Sequence, residues 1–534
     1  MARPAAVARD RPMPALAPQP VPVPESPLAA AAQRLLGDRR LILAANRGPV
    51  SFTTAADGSL RPRRGSGGVV TALSQIGLHV PVTWVAAAMS EADRRAAQDR
   101  QQLDAALPDD RVRLRLASVN RSVYEAAYNV IANPLLWFLQ HEMWNLPERP
   151  MIDAATTRAW HRGYVPLNEA FAAAVLREVP RRDREPRIML HDYHLYLAAT
   201  SIRRARPEAV LSHFTHIPWP SSSIWQVMAP AMRTAICSGL LANDVIGFQT
   251  ERYAYNFLRC VQTFIPDASV DFEKGCVVHR ARTIRVRVYP ISIDVAATRR
   301  VAASQAARNR RDELLSKSAQ RILVRVDRLE PSKNILRGFA AFEALLERRP
   351  ELRDRITFLA FLVPSRTSIR EYGDYGRKVQ DAAERINARF GRAGRNVIHI
   401  YYENDYPQAL AGLAIADVIL VNPLVDGMNL VAKEAAVVNE RDGVLVLSET
   451  AGAYEQMADG VLPVAPADIV GTADALAWAL AMSPGERRTR LARLRAGVER
   501  EDITWWLQQQ LDELADIVAE RATASRSGHA ARRT

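Results

Sequence analysis

Cysteine is scarce in this 534-residue chain, which has only Cys237, Cys260 and Cys276. An odd number without C-x-x-C spacing argues against a disulfide framework and a zinc frame, and fits a reducing, cytoplasmic setting. No apolar run is long enough to span a membrane, and the N-terminus lacks the apolar core of a signal peptide. No G-x-G-x-x-G follows a strand-like run, which counts against a nucleotide-cofactor oxidoreductase. Lysine is also rare: Lys274, Lys317, Lys333, Lys378 and Lys433 stand against a large excess of arginine. The net charge of +13 does not imply nucleic acid. Six arginines against three acids in residues 1–40, and four against none in 521–534, put more than half of it in the tails. No basic block interleaved with aromatics exists to bind nucleic acid.

What is there is the composition of a soluble globular protein, 48% apolar and 24% charged, in a chain too long for one core. Eight prolines in residues 1–28 predict a disordered tail, with order beginning near Arg40. From Leu41 onward, short apolar runs alternate with amphipathic stretches. The runs 82–86, 187–190, 210–214 and 244–248 read as strands, with helical patterns at 160–176 and 195–206 between them. After a pause near 289–294 and a charged helix at 298–317, the alternation restarts with strands at 322–326, 356–361, 397–401, 418–421 and 444–447. The predicted fold class is α/β: two doubly wound parallel sheets, each covered on both faces, facing across a cleft. The expected division is a tail at 1–38, domains at 39–297 and 298–490, helices at 491–522 returning across the junction, and a basic tail at 523–534.

The chemistry-bearing residues fall at strand ends. In the run from Val418 to Glu434, a β-branched strand ends in Asn422-Pro423, turns through Asp426-Gly427 and opens a helix. Such a helix N-terminus is a ready anion site, because its first backbone N–H groups lack partners and its dipole favours negative charge. Asp426 on the turn and Glu434 on the helix are positioned to accept hydroxyl hydrogens, which suits a ligand with a phosphate end and a sugar end. Arg328 and Lys333 lie five apart on the loop after the strand 322–326, where two cations can neutralise a diphosphate. Gly65-Ser66-Gly67-Gly68 opens a helix in the first domain. His191-Asp192-Tyr193-His194 ends another strand with a spacing that matches no common zinc frame, and His216 follows a further strand directly.

Taken in order, these segments resemble the trehalose-6-phosphate synthase family of retaining glycosyltransferases, which have the GT-B fold. The matches run from about Leu41 to Gly452. They include Asn46-Arg47, Gly67-Gly68, Tyr128-Asn129 through Asn133 to Trp137, His191 to Leu195, His216-Ile217-Pro218, Gly247 to Thr250, Arg328 to Lys333, Arg366, and Asp426 to Glu434. The resemblance implies that Arg328 and Lys333, with the amides of Asn429 and Leu430, hold the diphosphate of a nucleotide-sugar donor. Glu434 would accept from the ribose hydroxyls, and Asp426 with the Gly427-Met428 backbone would hold the donor sugar, with Gly67 and Gly68 also on the donor side. His216 and Asp192 would line the reaction centre. Arg47, Tyr128, Trp137 and Arg366 would hold the phosphate and ring of a sugar-phosphate acceptor.

The implied reaction moves glucose from UDP-glucose to glucose 6-phosphate and needs no cofactor or metal. In the family the departing phosphate takes the acceptor proton, and the new bond forms on the face it leaves. Three positions depart from the family pattern. Val425 stands where an arginine usually precedes Asp-Gly-Met-Asn, Asn334 where a glycine follows the lysine, and Ala87 where a second tryptophan faces the acceptor. The last leaves open the same scaffold with another acceptor, glycerol 3-phosphate or a phosphorylated aminocyclitol. A catalytically silent binding protein is disfavoured by the presence of Arg328, Lys333, Asp426 and Glu434. The donor's base and the oligomeric state are left open by the sequence.

Overall fold

In the computed structural model the described residues are 26–531, without 66–69, 71, 72, 75, 108, 109, 366–369 and 393. Strand β1 (Leu41–Ala44) is followed by a hairpin of β2 (Val50–Thr54) and β3 (Leu60–Arg64). Then come β4 (Val82–Ala87), β5 (Val112–Ala117), β6 (Arg187–His191), β7 (Val210–Phe214) and β8 (Val245–Phe248), and an antiparallel extension of β9 (Ser269–Asp271), β10 (Cys276–His279) and β11 (Arg282–Val288). The first sheet runs β5-β4-β1-β6-β7-β8-β11-β10-β9, parallel from β5 through β11. The second is parallel throughout: β12 (Arg321–Arg328), β13 (Ile356–Val363), β14 (Ile398–Tyr401), β15 (Val418–Val421), β16 (Val444–Ser448) and β17 (Leu462–Val464), in the order β14-β13-β12-β15-β16-β17.

Helical crossovers cover both faces, so β4, β6, β7, β15 and β16 are buried along their whole length. In each sheet the chain starts at the centre, builds outward to one side, and returns to build the other. The reversal falls between β1 and β6 in the first sheet and between β12 and β15 in the second. The crevice at the strand carboxyl ends beside such a reversal is where doubly wound sheets bind ligands.

Two segments differ from the sequence-based expectation. Pro27–Leu36, placed in the tail by composition, is a helix. Ser26 caps it by accepting from Ala29 N, Pro27 opens it, and Leu28, Ala31, Ala32, Leu35 and Leu36 form its buried stripe. That stripe packs on the final helix, Ile503–Ala531, and Arg34 pairs with Asp512 alongside it. The final helix also continues past residue 522 through Ala531. It lies on the first sheet: Trp506 Nε1 donates to Tyr289 O (3.0 Å), Ile503 N to Ile293 O (3.0 Å), and Arg521 pairs with Asp244 (2.6 Å). The helix before it, Pro484–Arg500, packs instead on the second domain's helix Leu430–Val438. Among the described residues no helix is long and apolar enough to cross a membrane.

Candidate active site

On the second sheet, β12 ends at Arg328 and a single 3-10 turn, Pro331–Lys333, leads to the helix Ile335–Arg348. Asn334 joins them in the left-handed region (φ 56°), which explains the departure from glycine noted above. A left-handed position favours glycine, and asparagine is among the few other residues that adopt it readily. Its Nδ2 also donates to Asn422 O (3.0 Å) and Pro466 O (2.7 Å), tying the loop to its neighbours. Behind it, fully buried Arg325 bonds Asp327 Oδ2 (2.7 Å) and Lys333 O (2.9 Å), fixing the backbone that carries Lys333.

Lys333 Nζ reaches across the reversal point to Asp426 Oδ2, and both side chains are largely buried, at 11% and 16% exposure. Burial alone would raise the Asp426 carboxyl. The Lys333 charge and hydrogen bond outweigh it, with His141 and Arg328 acting in the same sense, and hold the group below its ordinary range. Arg328 is half exposed, and its Nη1 lies 3.1 Å from Glu330 Oε1. Asn429, also left-handed (φ 76°), donates from Nδ2 to Asp426 Oδ2 (3.1 Å). Among the described residues no side chain caps the helix Leu430–Val438 that follows, so its N-terminal turn keeps its capacity for an anion. Glu434, half-buried, accepts from Tyr406 Oη (3.0 Å), and burial pushes its carboxyl up to about 7. Val425, half-buried, adds no cation to this loop.

Facing these residues, β6 ends at His191 and is followed by Asp192, and β7 leads to His216. Asp192 is left-handed (φ 73°), and its Oδ1 accepts from His216 N (3.2 Å). His191 Nδ1 lies 3.2 Å from His216 Nε2, while His191 Nε2 is buried without a hydrogen-bond partner among the described residues. An orphaned buried N–H is rarer than an orphaned acceptor. We therefore assign the proton to His191 Nδ1, which leaves His216 an acceptor at Nε2 and a donor at Nδ1. Burial drives both imidazoles far below the ordinary histidine range, His191 to about 3. Neither ring should titrate between pH 5 and 8 in nitrogen-detected NMR spectra, and a His216 midpoint near 6.5 would contradict this geometry.

The two sides meet at backbone. A Cβ on Gly427 would lie inside contact distance of His216 O, and Tyr253 Oη donates to Asp426 O (2.9 Å) across the same seam. Nearer β1, Arg47 is exposed, and the Tyr128 ring stacks on Tyr124 (5.4 Å) and His194 (5.9 Å). Tyr128 and Trp137 lie on one π-helical segment, Ala127–Trp137, a form that is rare overall and frequent at functional sites. Trp137 is buried and packs 6.0 Å from Tyr372 of the second domain. His141, not singled out by sequence, stacks on Trp137 (4.0 Å), and its field reaches Asp426. Its one signal was its position a helical turn beyond Trp137. Gly67, Gly68 and Arg366 lie outside the described residues. Among the described residues no group of three or more His, Cys, Asp or Glu side chains is arranged to hold a metal ion.

The model of glycosyltransferase family 20 matches residues 39–516. The validamine 7-phosphate valienyltransferase of Streptomyces hygroscopicus subsp. jinggangensis is 30% identical over 496 residues, 91% of this chain and 96% of that protein. The trehalose-6-phosphate synthase of Mycobacterium bovis is 32% identical over 490 residues, 90% and 95% of the two chains. A solved structure from E. coli, bound with UDP-2-fluoro glucose, superposes with a TM-score of 0.76 at 26% identity, covering 89% of this chain and 99% of its own.

Proposed function

The chain belongs to glycosyltransferase family 20 and is a trehalose-6-phosphate synthase-like enzyme of GT-B fold, and we propose that it moves glucose from UDP-glucose to glucose 6-phosphate, with retention. The products are trehalose 6-phosphate and UDP. The observation that carries this reading is the Lys333–Asp426 pair spanning the second sheet's reversal point, beside the uncapped helix Leu430–Val438 and half-exposed Arg328. Arg328, Lys333 and the amides of Asn429 and Leu430 gather positive charge where a diphosphate would leave. Asp426 and the Gly427-Met428 backbone take the sugar hydroxyls, and Glu434 the ribose. The Nδ1 donor of His216 and the Asp192 carboxylate line the reacting face, and Arg47, Tyr128, Trp137 and Arg366 take the acceptor's phosphate and ring. Stabilising the leaving group's charge is the protein's main task here, and its own cations supply it without a metal or cofactor. Cations held in place before the reaction cost no reorganisation at the moment charge develops.

A second acceptor has one observation in its favour. Ala87, buried at the end of β4, stands where the family pattern puts a tryptophan against the acceptor, so one wall of that pocket is missing. The relative named for validamine 7-phosphate belongs to the same set. A panel of glucose 6-phosphate, glycerol 3-phosphate and validamine 7-phosphate, scored by UDP released from UDP-glucose, separates the readings. Glucose 6-phosphate is expected to release UDP fastest. Release with glycerol 3-phosphate alone would overturn the trehalose reading.

A further inference from the structure

A cavity of about 200 Å³ opens between the helices Leu430–Val438 and Pro484–Arg500, at the point where the chain turns back toward the first sheet. None of its lining residues is among those assigned above to donor or acceptor. Two buried polar groups border it with capacity to spare. Lys433 is 1% exposed, and among the described residues its ammonium, with three N–H donors, makes one hydrogen bond, to Ile291 O (2.8 Å). Gln456 donates from Nε2 to Glu501 Oε2 (2.6 Å), while its Oε1 is buried without a hydrogen-bond partner among the described residues. Gly497 lines the same cavity, and a Cβ built on it meets nothing within 4 Å. Arg493, Arg500 and one carboxylate, Asp459, stand exposed at the rim, with Arg500 paired to Glu501 (2.7 Å).

A buried ammonium beside a cavity calls for an anion, and a buried carbonyl without a partner calls for a hydroxyl. We propose that this cavity is a binding site for a small hydroxylated oxyanion, inorganic phosphate being its simplest form, held between the Lys433 ammonium and the Gln456 carbonyl. A phosphate oxygen accepts from Lys433 and the P–OH donates to Gln456 Oε1, so both unmet groups are satisfied by one ligand. Burial holds Lys433 down to about 7 even though the Glu501 carboxylate pulls the other way, and a bound anion would add to that pull and favour the charged form. The position is also a junction. Lys433 is tied to the first domain's Ile291 O, and Glu501 immediately precedes the residues that cross to Ile293 O. An anion here therefore acts on the link between the two domains rather than on the substrates.

Calorimetric titration of the full-length chain with inorganic phosphate, set beside Gly497→Leu, tests the site. Leucine fills the open space and has a higher helix propensity than glycine, so the variant keeps its fold. The expected result is the loss of one phosphate per chain in Gly497→Leu, with glycosyl transfer unchanged. Sulfate, which has no proton to donate near neutral pH, should bind the unaltered protein about tenfold more weakly, the size of one hydrogen bond. Gln456→Met should erase that preference while leaving the fold and turnover intact. Phosphate binding to Gly497→Leu equal to that of the unaltered chain, or equal affinity for phosphate and sulfate, overturns the proposal.

Discussion

Lys333→Ala is expected to lower turnover by about 10²–10³-fold, the loss seen when one preorganised donor is removed from a developing negative charge. The ammonium bridges the reversal point to Asp426, so its removal has a second consequence. The carboxylate, held below its ordinary range chiefly by Lys333, loses that counter-charge in a buried setting, and its pKa should rise. Breaking a largely buried pair by removing one partner costs about 3 kcal/mol of stability, because the remaining charge is left uncompensated. The two effects separate in the double variant. Lys333→Ala with Asp426→Asn should recover most of the urea midpoint, since no lone charge is left, yet recover none of the turnover. Lys333→Arg should fall between, because a planar fork on a longer arm does not reproduce a compact ammonium. A Lys333→Ala enzyme turning over within threefold of the parent would remove the central support for diphosphate stabilisation at this loop.

Much of this site was legible in the sequence because strand ends carry local signals. A β-branched run followed by Asn-Pro and Asp-Gly marks where β15 stops, and the cations after β12 sit a fixed number of residues past a similar run. The two series of alternating strands and helices follow from the same patterning, since strands buried on both faces read as continuous apolar runs. Strands whose second face carries arginines paired with nearby carboxylates were harder to see. β5, Val-Arg-Leu-Arg-Leu-Ala, is the edge strand of the first sheet, and β11 is another Arg-Val alternation, so neither presents an unbroken apolar run. The helix Pro27–Leu36 hides among alanines, whose small side chains blur the contrast between its faces. What sequence could not give was the seam between the domains. Nothing local marks Tyr253 as the donor to Asp426 O, or Lys433 as the donor to Ile291 O. Both contacts exist only once the two sheets have closed on each other.

That seam is also where the second large effect is expected. Gly427→Ala should cost about 100-fold in turnover and weaken donor binding, without unfolding either domain. Gly427 does not occupy the left-handed region, so the demand on this residue is for space. A methyl there would overlap His216 O and lie 3.1 Å from His216 C and 3.2 Å from Ile217 Cα. All three are backbone atoms, so no side-chain rotation relieves the overlap. Retreat the other way is blocked as well, because Gly452 packs so closely behind that its own Cβ would overlap Gly427 O. Three backbone layers, at 216, 427 and 452, are stacked without room for one carbon. The loop can yield only by shifting along the seam, and Asp426 and Asn429 move with it, away from Lys333 and from His216. A displacement of about 1 Å at such a site is worth about 10²-fold in rate. Gly485→Ala is the control, since a Cβ there meets nothing within 4 Å, and it should leave turnover unchanged. If Gly427→Ala kept more than half of the parent's turnover, close approach of the two domains at His216 would not be part of catalysis.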